Sequence, residues 1–247
     1  MEFDYAPLSS RDLAGLQGVL SVLAQPASFS GPSAWMQETV TRLRALLGAD
    51  KVLCFLAGPG GGPDAFAGIG DGVEEALRSW AETYAPLDFE LERVRAARGG
   101  SVYHRDLVWR DPSVFNRTVL YREWMVPNGL CDILGCALDP PGGPPLGLLH
   151  AYHTTERRLD DPDTRNAFGI RGLTLMRLLT PAFQSATRFE HASAGLQREL
   201  GCLLDGLPIP AFLVHPSGSI MHANGPGEAA LARSGPADGL RRRLARA

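Results

Sequence analysis

The apolar positions of this chain change their period several times, and each change marks an element. From Arg11 to Leu23, residues Leu13, Leu16, Val19, Leu20 and Leu23 recur at helical spacing, which predicts an amphipathic helix capped by Ser10. After a turn segment, Met36, Val40, Leu43 and Leu47 predict a second helix over Ser33–Leu47, stopped at Gly48. Lys51–Ala57 (KVLCFLA) is apolar almost throughout and reads as a buried strand. The glycine- and proline-rich tract to Pro63 reads as a loop, and Ala65–Ile69 as a short returning strand. Asp71 is placed to cap a helix over Gly72–Tyr84, where Val73, Leu77, Trp80 and Tyr84 share a face. Ser101–His104 reads as a short strand, and Asp106–Pro127 as a loop and helix rich in aromatics. Leu130–Leu138 and Leu146–His153 are two further strands, joined by DPPGGPP, a sequence suited to a hairpin loop.

From about Asp161 one helical pattern runs to Leu204. Within it Leu175, Leu179, Ala182, Ala186, Phe189, Ser193, Leu196, Leu200 and Leu203 alternate spacings of four and three, which is a heptad seam. Pro181 is a candidate kink. Phe168–Leu179 suits packing on the sheet, whereas beyond Phe183 a helix-to-helix contact between two copies is expected. Leu179, Ala186, Phe189, Leu196 and Leu200 are the expected dimerisation residues, and a homodimer the expected assembly. Leu203–Asn224 then reads as a helix end, a proline-bounded strand, a Pro-Ser-Gly turn and a second strand. An isolated hairpin is marginal in water, so Leu207, Ile209, Phe212 and Val214 need cover from the helix or a second subunit. The expected organisation is an N-terminal helix (1–30), an α+β sensor-like domain with an antiparallel sheet (31–183), a linker helix (184–204) and a partial hairpin segment (205–247).

With 247 residues and 45% hydrophobic content, the chain can bury one large or two modest cores. A net charge of −3 gives no global electrostatic case for nucleic acid or membrane. The acidic start (Glu2, Asp4) argues against a signal peptide, and no apolar run approaches a bilayer span, so a cytoplasmic location is expected. Cys54, Cys131, Cys136 and Cys202 show no C-x-x-C spacing and lie in apolar surroundings. Buried reduced thiols are expected, with a thiol redox sensor as the alternative.

No catalytic or metal motif stands out. His150 and His153, at i and i+3 on a strand, point to opposite faces and cannot jointly grip a metal. There is no G-x-S-x-G elbow or phosphate loop, and Asp160-Asp161-Pro-Asp163 suits a helix start. No metal and no enzymatic activity are therefore expected. The cofactor stays unknown, with haem or flavin open and His104 or His150 as imaginable ligands. The aromatic segment carries more weight. Tyr103, Trp109, Phe115, Tyr121 and Trp124 either plug the core or line a cleft for a small apolar or planar molecule.

Tyr121-x-x-Trp124-x-x-Pro127-x-Gly129 leads into the strand ending at Leu138, followed by Gly147–Tyr152 and the leucine-rich helix Leu173–Phe183. In this order the chain resembles the GAF-like sensor of LuxR-type transcriptional regulators, and Leu203–Asn224 resembles the start of a PAS-like segment. The resemblance spans about Ser33 to Asn224. It implies a sensory input module of a bacterial regulator, with a small-molecule or protein partner and a signal passed through a dimerising helix. One departure matters: such regulators usually end in a helix-turn-helix domain, and after Asn224 there remain a short stretch and the basic end Arg241–Arg246. DNA contact is thus expected only through an effector domain absent from this chain. The rival expectation is a ligand-free interaction and dimerisation scaffold.

Overall fold

The computed structural model describes residues 6–29, 32–57, 63–84, 102–104, 112–130, 132–138, 146–154, 168–215 and 220–233. The chain divides into two compact units, Met1–Arg188 and Phe189–Ala247.

The first unit opens with α1, Ser10–Leu23. Its cap is Ser9 rather than the expected Ser10. The Ser9 hydroxyl accepts from the Asp12 amide while the Asp12 carboxylate accepts from the Ser9 amide, a reciprocal capping box. Asp12 also holds the Arg171 guanidinium, which donates to the Leu46 carbonyl at 2.9 Å. Those contacts hold its carboxyl well below the usual carboxylate range. Helix α2, Pro32–Leu47, packs on α1 and stops at Gly48, as its pattern predicts. Residues 6–29 therefore belong to the first unit, with Val19, Val22 and Leu23 in its core.

Strands β1 (Lys51–Ala57), β2 (Pro63–Ile69), β3 (Val102–His104), β4 (Asp132–Ala137) and β5 (Gly147–His153) form one sheet in the order β2-β1-β5-β4-β3. Every neighbouring pair is antiparallel. The fold is α+β, an antiparallel sheet flanked by helices, as the order of elements predicts. Helix α3, Val73–Ser79, continues as a π-helical turn, Trp80–Tyr84. Its first flanking residue is Gly72 at φ 69°, so a left-handed glycine begins the helix where Asp71 was expected to cap it. Pro112–Asn116 forms α4, and a second π-helical turn spans Leu120–Met125.

The central strands are buried on both faces, and each face carries its own core. Val52, Cys54, Leu134, Cys136, Leu149 and Ala151 pack against residues of α1, α2 and the long helix α5 (Gly169–Asp205). Leu53, Ile133, Leu148 and Tyr152 pack instead with Leu77, Trp80, Phe115 and Trp124. Cys54 and Cys136 both face Leu149 from the strands on either side of β5. Two strand spacings put them about 10 Å apart, beyond disulfide reach. Burial, with Cys136 nearby, pushes the Cys54 thiol far up. These two thiols are inert core side chains; Cys202 is exposed and Cys131 lies outside the described residues.

Helix α5 runs through Pro181 without a break in its assignment. Leu175, Met176, Leu179, Phe183 and Ala186 are buried in the first unit. From Phe189 onward Phe189 at 48%, Leu196 at 57% and Leu203 at 70% are exposed, while Leu200 and Leu204 are half-buried. The second unit continues with the hairpin β6 (Phe212–Val214) and β7 (Ile220–Ala223), then α6, Gly225–Arg233. Its organising residue is Asn224, fully buried. The Asn224 amide donates to the carbonyls of Leu204, Leu207 and Ile209 at 2.8–3.1 Å. Its side-chain oxygen accepts from the Ala211 and Gly227 amides, both at 2.9 Å.

Candidate functional site

The sheet face opposite α1 and α2 carries the candidate site, and strand register decides what stands there. Across β1, β5, β4 and β3, the aligned positions Leu53, His150, Gly135 and Tyr103 form one row. Tyr152 lies two residues beyond His150 on the same face, beside Ile133. His150 therefore sits between two tyrosines. Its Nε2 bonds to the Tyr103 hydroxyl, and its Nδ1 shares a 2.8 Å hydrogen bond with the Tyr152 hydroxyl. Both rings meet the imidazole edge-on, at 89° and 84°.

Gly135 makes the Tyr103–His150 contact possible. A Cβ there would come within 2.5 Å of the Tyr103 ring and 2.9 Å of the imidazole. The tyrosine crosses β4 through the space that a side chain would fill. Burial pushes the His150 pKa down to about 4, because the charged imidazolium loses its water. The imidazole is neutral at physiological pH, with one nitrogen bearing hydrogen and the other accepting.

Helical segments complete the cleft. Trp80 and Trp124 both stand on π-helical turns, and the Trp124 indole donates to the Ala76 carbonyl at 2.9 Å, tying the second turn to α3. Between these turns and the sheet lies an inner chamber of ≈ 20 Å³, lined by Trp124, Met125, Ile133, His150 and Tyr152 among others. That is space for about one water or one ligand oxygen. Outside it is a vestibule of ≈ 460 Å³ between α3 and the β1–β2 edge, where Phe66, Glu74, Arg78 and Ala81 stand. Phe55, Leu77 and Trp80 line both spaces and form the partition. The Phe55 and Trp80 ring centroids are 5.5 Å apart.

The structure distributes the five expected ligand residues unequally. Trp124 lines the chamber, and Tyr103 reaches it through His150. Phe115 is buried, its ring 5.3 Å from that of half-buried Tyr121, and neither lines the two spaces. Trp109 lies outside the described residues. Tyr152, Phe55 and Trp80 enter the site without having been singled out for it, and His150, imaginable from the sequence as a cofactor ligand, stands there bonded to two tyrosines. The available signal was the i, i+2 spacing of His150 and Tyr152, which puts both on one strand face.

His153 points to the other face, as its spacing predicts. It stacks on Phe168 with centroids 4.3 Å apart, and its Nδ1 lies 3.3 Å from Asp50. Among the described residues no three His, Cys, Asp or Glu side chains group to hold a metal. The expected dimerisation residues also separate. Leu179 and Ala186 are buried in the first unit, Phe189 and Leu196 are exposed, and Leu200 is half-buried. No described helix is long and apolar enough to cross a membrane.

No family model matches this chain, and no curated protein matches it by sequence. Among solved structures it is similar to the VqsR ligand-binding domain from Pseudomonas aeruginosa, at 14% identity and TM-score 0.49 over 74% of this chain and 97% of that one. It is also similar to the N-acylhomoserine-lactone-dependent LuxR-family factor CepR2 from Burkholderia cenocepacia, at 13% identity and TM-score 0.43 over 74% and 96%. A third is the phycoerythrobilin-bound GAF domain of a cyanobacterial phytochrome, at 12% identity and TM-score 0.39 over 76% and 100%. At these TM-scores none of the three carries a ligand, a partner or a residue role over to this chain.

Proposed function

We propose that the first unit is a non-enzymatic sensory input module that binds a small molecule in the cleft and signals through α5. The observation that carries this reading is the ≈ 460 Å³ vestibule, which meets the inner chamber at Phe55, Leu77 and Trp80. Its size suits a small organic ligand. Helix α5 packs on the opposite face of the same sheet through Leu175, Leu179 and Phe183. A ligand that favours one arrangement of the sheet over another thereby biases the helix, provided that its affinity differs between the two. In this reading the module is cytoplasmic, and two copies associate through α5 beyond Arg188. Contact with DNA belongs to a separate effector domain.

The rival reading, a ligand-free scaffold, draws on burial of Phe115 and Trp124 and on the small inner chamber. The vestibule favours the sensor.

The deciding experiment is a thermal-shift screen of uncharged aromatic and aliphatic compounds on wild type and Ala81→Trp. Ala81 is exposed and lines the vestibule, so tryptophan there fills it from outside. Compounds that raise the Tm of wild type and not of the variant are expected. A Tm that no compound moves, or equal shifts in both proteins, overturns the reading.

A further inference from the structure

We infer that Lys51 is the positioning residue of the cleft: without touching the ligand it fixes the separation of the sheet from the helical walls, and with it the affinity. This rests on the cleft reading above and adds the residue that sets the cleft's shape. The sequence singles that residue out. Of the 24 lysines and arginines in the chain, Lys51 alone is lysine. It opens β1 and is only 9% exposed. An ammonium is compact and can serve a single acceptor at the end of a narrow path, whereas a guanidinium brings a planar fork of donors.

The path is visible at both ends. A Cβ at Gly70 would come within 2.8 Å of the Lys51 Cγ, so the stem runs against the backbone three residues before α3. The Nζ donates to the Asn128 carbonyl at 2.7 Å. The Asn128 side-chain amide donates to the Trp124 carbonyl at 2.7 Å, on the second π-helical turn. The Trp124 indole in turn donates to the Ala76 carbonyl and the Ser79 hydroxyl of α3, at 2.9 and 3.2 Å. One amine thus ties three walls. Leu53 and Phe55 share its strand, Trp124 and Met125 close the inner chamber, and Leu77, Trp80 and Ala81 stand over the vestibule. Lys51 itself lines neither space and acts through these walls.

Charge strengthens the tie. A charged donor bonds a carbonyl about twice as strongly as a neutral one, and a cation suits the carbonyl end of a helical turn. Burial pulls the Lys51 amine below the ordinary lysine range, while Asp71 and Asp50 favour the ammonium. Tyr152 is its cross-strand neighbour on β5. Loss of the proton loosens the tie, so affinity falls as pH rises through the Lys51 titration. Coupling is reciprocal: a bound ligand favours the ammonium and moves that titration to higher pH.

The test uses N-phenyl-1-naphthylamine, a fluorescent apolar probe that stays uncharged at neutral and alkaline pH. Binding to wild type and not to Ala81→Trp places it in the cleft. Lys51→Met keeps the length of the stem and removes the donor; it is expected to bind the probe about fivefold more weakly. Wild-type affinity should decline about threefold as pH rises through the Lys51 titration, and Lys51→Met should show no such decline. On wild type alone, 13C-lysine labelling gives one side-chain signal, because the chain holds one lysine. Its titration midpoint should rise by about 0.5 in pH when the probe saturates, the logarithm of that threefold. That arm needs no variant to fold, and a lysine that only stabilised the fold would not respond to the probe. Wild-type affinity in Lys51→Met, an alkaline decline that survives in it, or a lysine midpoint indifferent to the probe overturns the inference and leaves the cleft standing. A probe that wild type does not bind, or that Ala81→Trp binds equally, overturns the cleft reading and the inference with it.

Discussion

The two units are held together by different physics. In the first, buried aliphatic and aromatic side chains run from Val19 to Ala186 on both sides of one sheet. In the second, among the described residues, no large apolar side chain is buried, and the apolar residues of β6 and β7 stay partly exposed. Order there converges on Asn224, whose amide joins the end of α5, the segment before β6 and the start of α6. Burial spreads stability over many residues, whereas a polar hub concentrates it in one. The first unit can therefore tolerate a hydrogen-bonded His150 in its core, because the surrounding packing holds it in place.

The largest expected effect breaks the first unit. Leu149→Ala removes a fully buried side chain between Cys54 and Cys136 and should cost about 2–5 kcal/mol in denaturant unfolding. Amide exchange of the second unit should stay as it was if the two forms of stabilisation are separate. Next comes acid. His150 titrates at an ordinary 6.5 when unfolded and at about 4 when folded, so between those values the unfolded chain binds the extra proton. Stability should be complete above pH 6.5 and decline as pH falls toward 4, by about 3 kcal/mol. His150→Gln should flatten that slope in urea titrations run across the window.

The polar hub gives the next effect. Asn224→Ala removes side-chain bonds to three carbonyls, of which that of Leu204 keeps the Leu207 amide, and to two amides, and should lower amide protection over 205–215 and 220–233 by about 2 kcal/mol. The main thermal transition of the first unit should not move. Along α5 the same contrast applies to one helix. Leu196→Glu, at an exposed position, should weaken self-association on the order of tenfold, read by sedimentation. Leu179→Ala, at a buried one, should lower stability and leave association alone. The smallest effect on stability belongs to Ala81→Trp, within about 0.5 kcal/mol, although it should abolish ligand binding.

Much of the scaffold was legible because its elements carry strong periods. KVLCFLA and GLLHAYH announce buried strands, and the chain from Leu173 to Phe183 announces a helix. The caps were less legible. Ser9 and Ser10 are chemically equivalent neighbours, and only backbone geometry selects Ser9; Asp71 yields to a glycine because the helix entry is left-handed. The heptad seam read as one continuous stripe, yet it changes environment between Ala186 and Phe189. Periodicity says which residues share a face. It does not say what covers that face.

The same division applies to the site. Residue pattern is enough for an α+β chain with an aromatic-rich segment beside a sheet, and for the separation of His150 from His153 by strand alternation. Folding is needed to bring Tyr103 against His150 across Gly135, 47 residues apart in sequence, with Tyr152 on the other side of the imidazole. It also decided that Phe115 fills core while Phe55 and Trp80 stand between the two spaces. The physical reason is register. Alternation along one strand is local and visible in the residues, but the alignment of β3, β4, β5 and β1 is a non-local choice. That choice alone brings distant side chains into one row.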